Sequence, residues 1–143
     1  FSKIYGLAGL RIGYGLTPVE ISEMLNRVRQ PFNTNALAQT AALAALDDAE
    51  HVEKSRRVNQ EGKGFLYKEF ESMGIAYIPT EANFIYFQSG GDGKAIFDAM
   101  LKEGVIIRHI GGPNLRVTIG LPEENRIFIE ALRKVLDKKG VCT

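Results

Sequence analysis

The chain is 143 residues long, with 45% hydrophobic and 24% charged side chains, a balance that suits one core or two small ones and excludes disordered, collagen-like and low-complexity classes. Its 18 lysines and arginines against 17 aspartates and glutamates leave a net charge of +1, so no global field points to nucleic acid or an anionic membrane as partner. Every apolar run is broken well short of the roughly 18 residues of a membrane span, which predicts a soluble protein.

In chain order, the sequence opens at Phe1 without the basic start and apolar run of a signal peptide, and reads as a chain cut open. Gly6, Gly9, Gly13 and Gly15 permit sharp turns, and Leu10–Tyr14 is predicted to be a short buried strand. Thr17-Pro18-Val19-Glu20 has the form of a capping box. The helix it would open carries Ile21, Met24, Leu25 and Val28 on one face and ends at Gln30-Pro31. A loop from Pro31 to Asn35 leads into an alanine-rich helix, Ala36–Leu46, whose small side chains permit close packing. Asp47-Asp48 can cap a longer third helix carrying Val52, Leu66, Phe70 and Met73, with Gly74 as its stop. Gly62 and Gly64 threaten its continuity, at up to ~1 kcal/mol each relative to Ala.

Beyond Gly74 the pattern changes to short strands: Ile75–Ile78, Asn83–Phe87, Val105–Arg108 and Leu115–Ile119. One helix with Ile96, Ala99 and Met100 on its face falls between the second and third strands. Another, with Phe128, Ala131, Leu132, Val135 and Leu136, follows Pro122 and is expected to end at Gly140. This predicts a compact α+β unit from about residue 48 onward. The single cysteine, Cys142, cannot form an internal disulfide, and the simplest expectation is a reducing compartment.

Several features are better explained by structure than by chemistry. Gly90-Gly91-Asp92-Gly93-Lys94 lacks the earlier glycine and the following Ser or Thr of a phosphate loop, and reads as a turn into a helix. His51 and His109 lie far apart with no Cys or carboxylate at ligand spacing, so no metal site is expected. Lys54-Ser55-Arg56-Arg57 reads as a solvated helix face. More informative is Ser2-Lys3-Ile4-Tyr5-Gly6-Leu7-Ala8-Gly9-Leu10-Arg11-Ile12-Gly13-Tyr14. A lysine in an apolar, glycine-rich stretch with an arginine following is a weak hint of an anion site. The chemistry that wants such a pair is a pyridoxal-phosphate site, where an amine forms a Schiff base with the aldehyde and a guanidinium holds the phosphate.

This segment resembles the Schiff-base lysine motif of fold-type-I aminotransferases, in the form typical of the histidinol-phosphate aminotransferase family. Four further stretches are similar to that family's later motifs, in the same order. They are Asn26–Asn33, Glu81-Ala82-Asn83-Phe84, Gly104–Arg108, and Leu115–Gly120 with Pro122–Asn125. The resemblance covers essentially the whole chain. It implies the C-terminal part of a fold-type-I fold, α/β and then α+β. Residues 1–47 would be the end of the large cofactor domain and 48–143 the small domain.

By this resemblance Lys3 is the lysine that condenses with pyridoxal 5'-phosphate and then shuttles the substrate proton. Freeing an ordinary lysine of its proton at neutral pH costs ~4.6 kcal/mol, so the role asks for burial or neighbouring positive charge. Arg11 would bind the cofactor phosphate, with Ser2 donating a hydroxyl hydrogen bond to the same group. Arg116 would face the acidic group of the substrate, assisted by Arg108, since two guanidinium forks suit a phosphate dianion. Without the resemblance, Arg11 could be a surface charge, Ser2 a turn hydroxyl, and Arg108 and Arg116 partners of carboxylates. The segment His109–Asn114 between the two arginines is shorter than is common in the family, which puts the aim of Arg108 in question. Asn83 is expected to be structural.

The implied reaction moves an amino group between L-histidinol phosphate and 2-oxoglutarate, in a cytoplasmic homodimer to whose interface the Pro31–Ala36 region contributes. The 143 residues alone are expected to be inactive, because the rest of the cofactor site would lie before Lys3. Two alternatives stand beside it: a decarboxylase of threonine phosphate, and a non-catalytic α+β binding module.

Overall fold

The computed structural model describes residues 1–138, so Gly140 and Cys142 lie outside it. The chain divides into two compact units, Phe1–Arg56 and Arg57–Thr143.

In the first unit, the strand expected over Leu10–Tyr14 is not formed. Ala8–Leu10 is a single 3-10 turn, closed by Arg11 in the left-handed region at φ 55°. That conformation turns the backbone out of the extended path a strand needs, and the apolar run has no partner edge to pair with. Helix α1, Val19–Val28, starts one residue later than the capping box requires: Pro18, at ψ 151°, is its N-cap and no side chain caps it. The carbonyl of Pro18 accepts from Ile21 and Ser22 instead. Helix α2, Ala36–Asp47, is capped by Asn35, whose Oδ1 accepts the Ala38 N–H at 2.8 Å. Ala38 and Ala42 are buried, as its small side chains predicted, while Leu37, Leu43 and Leu46 stay exposed.

Helix α3, Ala49–Ser72, is unbroken. The Asp48 carboxylate accepts the His51 N–H at 2.9 Å, and Gly74, at φ 66°, turns the chain out of α3 as expected. Gly62 is there because a side chain would not fit: a Cβ at that position would lie 2.6 Å from Ile119 Cγ2 and 3.0 Å from Asn125 Nδ2. Its helix-propensity cost is the condition for close approach of α3 to the segment after the last strand.

The second unit is built on an antiparallel sheet of β1 (Tyr77–Ile78), β2 (Phe84–Gln88), β3 (Arg108–Gly111) and β4 (Asn114–Thr118), in the order β1-β2-β4-β3. Helix α4, Gly93–Lys102, connects β2 to β3; helix α5, Pro122–Asp137, follows β4. Asp92 caps α4 by accepting the Lys94 and Ala95 N–H groups, so the glycine-rich segment is the turn into a helix that its sequence predicted. The third strand begins at Arg108 rather than Val105. Gly104 at φ 81° and a bond from Val105 N–H to the Met100 carbonyl keep the chain turning out of α4, so Ile107 is buried before any pairing starts.

One face of the sheet carries Ile85, Phe87, Leu115 and Val117 into a core with Leu66 and Phe70 of α3, Ile96 and Met100 of α4, and Phe128 and Leu132 of α5. Phe70 stacks on Phe87 with centroids 5.0 Å apart, and Phe128 meets both rings edge-on. The buried Asn125 pairs both of its amide atoms with the backbone of Gly120, at 2.9 and 3.0 Å, and so fixes the exit from β4 into α5.

Candidate active site

Strand alternation decides what the other face of the sheet presents. With Ile85, Phe87, Leu115 and Val117 turned to the core, Phe84, Tyr86, Asn114 and Arg116 share the opposite face. Arg116 is in register with Tyr86 of β2 on one side and with Arg108 of β3 on the other. The short segment between the two arginines is therefore a β-hairpin connection. Gly111 at φ 139° and Gly112 at φ 53° supply backbone conformations that L side chains rarely adopt, and a register shift between His109 and Gly111 absorbs the extra residue.

Two like charges directly opposite on neighbouring strands repel, with Cβ atoms about 4.5–5.5 Å apart. Such a pair costs stability unless the heads diverge or an anion sits between them. The ion pairs among the described residues involve neither arginine. Arg116 is half-buried and its Cζ lies 4.9 Å from the centre of the Phe84 ring, a cation–π contact with a residue diagonal to it across the β2–β4 pair. Arg108 is exposed and borders a pocket of about 460 Å³ with Lys94, Phe97, Ile106 and His109. Asn83 contributes its carbonyl, which accepts the Ile119 N–H at 2.9 Å.

In the first unit, Ser2 is half-buried and Lys3 exposed, in a turn closed by the Gly6 N–H donating to the Lys3 carbonyl at 2.9 Å. Arg11 is exposed, and its Nη1 donates to the Ala8 carbonyl at 2.9 Å, which leaves the remainder of the fork outward. Its left-handed φ is uncommon for a residue with a side chain and closes the 3-10 turn as its C-cap. A cavity of about 660 Å³ in the same unit is lined by Ile12, Asn26, Arg29, Phe32 and Gln39 among others, not by Lys3 or Arg11. Among the described residues no group of three or more His, Cys, Asp or Glu could hold a metal ion, and no helix is long and apolar enough to cross a membrane.

Two contributors to this geometry escaped the sequence reading. Phe84 lies in a predicted strand and in the Glu81–Phe84 stretch that resembles a family motif, but its place diagonal to Arg116 follows only once the register is known. Lys63 is one of many charges on α3, and nothing in the sequence sets it apart; the fold places it, 5% exposed, on the inner side of the helix.

The chain is 57% identical over 140 residues to a histidinol-phosphate aminotransferase of Moorella thermoacetica, covering 95% of this chain and 36% of that protein. It is 49% identical over 140 residues to one of Symbiobacterium thermophilum, covering 95% and 39%. Among solved structures, histidinol-phosphate aminotransferase from Sinorhizobium meliloti in complex with pyridoxal-5'-phosphate superposes with a TM-score of 0.90 at 27% identity, over 97% of this chain and 40% of that one. The chain thus spans between 36% and 39% of the length of these curated relatives. The model of the family described as aminotransferase class I and II matches residues 1–132, from the lysine segment through the sheet into α5. The chain belongs to that family, the class I and II aminotransferases.

Proposed function

We propose that this chain carries the lysine and the anion-binding arginines of a histidinol-phosphate aminotransferase, which moves an amino group between L-histidinol phosphate and 2-oxoglutarate in histidine biosynthesis. The observation that carries the reading is the register pairing of Arg108 with Arg116 on the open face of the sheet. Two guanidinium-bearing residues at facing positions of neighbouring strands suit a phosphate dianion better than a single carboxylate.

The residues of the first segment supply the groups that pyridoxal phosphate needs, an amine on Lys3, a hydroxyl on Ser2 and an outward guanidinium on Arg11, although Lys3 is exposed and the burial its role asks for is not met within the described residues. When bound, the cofactor supplies the electron sink that makes the substrate carbon acidic. Lys3 Nζ would hold the cofactor and, once released, take the proton from that carbon and return it. Arg11 and Ser2 would grip the cofactor phosphate. Arg116 would orient the substrate through its anion, and Arg108 would complete the charge match. In this reading residues 1–47 end the large cofactor domain and 48–143 form the small one. The working enzyme is a cytoplasmic homodimer with Pro31–Ala36 at its interface, and residues 1–143 alone do not turn over.

The test is steady-state kinetics on the full-length protein that carries this chain. Arg116→Ala should raise KM for histidinol phosphate by about 10- to 150-fold, the range for losing a charge-assisted bond of ~1.5–3 kcal/mol. An unchanged KM would refute the assignment. Release of carbon dioxide from threonine phosphate, without transamination of histidinol phosphate, would replace it with the decarboxylase reading.

A further inference from the structure

Helix α3 carries Asn59, Lys63 and Tyr67 at every fourth position, hence on one face. All three polar ends converge on one short segment, Thr80–Ala82, which leads into β2. Asn59 Nδ2 donates to the Ala82 carbonyl at 3.3 Å. Lys63 Nζ donates to the Thr80 carbonyl and to Glu81 Oε2, both at 3.0 Å. The Tyr67 hydroxyl accepts the Thr80 N–H at 2.8 Å, and Thr80 Oγ1 accepts the Ala82 N–H at 3.0 Å. The N–H and carbonyl groups of both Thr80 and Ala82 are thereby engaged. At the far end, the Asn83 carbonyl ties the same segment to Ile119, just past β4.

The lysine is the unusual member. Its side chain is 6% exposed, while that of its carboxylate partner Glu81 is 98% exposed. An ion pair with one head in water adds little stability, and a buried ammonium loses its hydration. What the ammonium does provide is direction: its donors fix where the Thr80 carbonyl sits. Tyr67 is fixed in turn by stacking on Tyr77 of β1, with centroids 4.6 Å apart.

Beyond this clamped segment and Asn83 comes Phe84, whose ring carries the Arg116 guanidinium. We propose that Lys63, with Asn59 and Tyr67, is a positioning residue that sets the Phe84 ring through the Thr80–Ala82 segment and so aims Arg116 at the substrate anion. This rests on the reading of Arg116 given above. Lys63 touches neither substrate nor cofactor in this arrangement; it acts through Phe84.

The experiment is a double-mutant cycle on the full-length protein, with histidinol phosphate as the probe and each variant checked for native circular dichroism. Phe84→Leu removes the cation–π partner and should raise KM about two- to fivefold with kcat unchanged, the effect of losing a contact of this class. Lys63→Met should do the same, and the double variant should be no worse than the poorer single one. If Lys63→Met fails to fold, Tyr67→Phe, which removes one hydroxyl, takes its place in the cycle with the same expectation. A KM left unchanged by the folded clamp variant, or a double variant whose rise is the product of the two single rises, would overturn the proposal. Arg116→Ala in the same assay separates the two levels. If it leaves KM unchanged, the substrate reading fails; if it raises KM while the clamp and Phe84 variants do not, only the clamp fails.

Discussion

The two units of this chain differ in how much of their own apolar surface they bury. Between Arg57 and Asp137, phenylalanines, leucines and isoleucines from three helices and two strands close on one another, and Phe70, Phe87, Leu66, Ile85, Ile96, Met100, Leu115 and Leu132 are almost wholly removed from solvent. Before Arg57 only Ala38 and Ala42 are buried, while Met24, Leu25 and Val28 of α1 are more than half exposed. Yet α1 has a well-formed apolar stripe. Amphipathic periodicity therefore reports that a helix has a side made for burial; whether anything in the same chain covers that side is a separate matter.

The sharpest way to break this contrast is to truncate one side chain in each unit. Phe70→Ala should lower the stability of the protein by about 3–5 kcal/mol in denaturant melts, since the ring is fully buried among Phe87, Tyr77 and Phe128. In the 143-residue chain Val28→Ala should change it by no more than about 0.5 kcal/mol, because the side chain is 79% exposed. Similar losses from both would mean that the α1 stripe is packed in solution.

A smaller effect distinguishes two neighbouring glycines. Gly62→Ala should cost about 1–3 kcal/mol, because the new methyl meets Ile119 and Asn125, whereas Gly64→Ala, with nothing within 4 Å, should stabilise by up to ~1 kcal/mol through helix propensity. Urea midpoints of the two variants should move in opposite directions. In the first unit, Asn35→Ala removes the cap of α2 and should cost about 1 kcal/mol, read as lost helical circular dichroism on heating.

The smallest effect is a pH dependence. Hydrogen bonds from Lys134 above all, and from Lys138, hold the Glu103 carboxyl below the usual carboxylate range, burial opposing them. A carboxyl whose pKa is lowered on folding adds stability above its unfolded pKa and loses it as pH falls through the folded one. The gap in urea midpoint between the protein and Glu103→Gln should thus be present at neutral pH and close in acid; a gap that widened in acid would reverse the sign.

Much of the second unit was legible because each element there has its partner in the same stretch of sequence. The alternation in Phe84–Gln88 and Leu115–Thr118, the glycine-rich turn into α4 and the Gly74 stop all express local chemistry that the packing confirms. Local chemistry misled where a residue served another end. Ile107 looked like strand because it is buried, although the chain there is still leaving α4. Leu10–Tyr14 looked like strand because it is apolar, although Arg11 turns the backbone. The neighbourhood of Arg108 and Arg116 could be expected from their strands, but the register that sets them opposite, and Phe84 diagonal to one of them, depends on a hairpin whose bulge no periodicity reveals. Lys63 was hidden for a related reason: charge on a helix usually means water, and only the fold shows that this one points inward.

If the amine of Lys3 is the cofactor's point of attachment, borohydride reduction of the full-length protein loaded with pyridoxal phosphate will fix the reduced cofactor there. After proteolysis, mass spectrometry should find the reduced pyridoxyl group on Lys3 and leave Lys54, Lys63 and Lys68 unmodified. A label on another lysine, or none on Lys3, would contradict it.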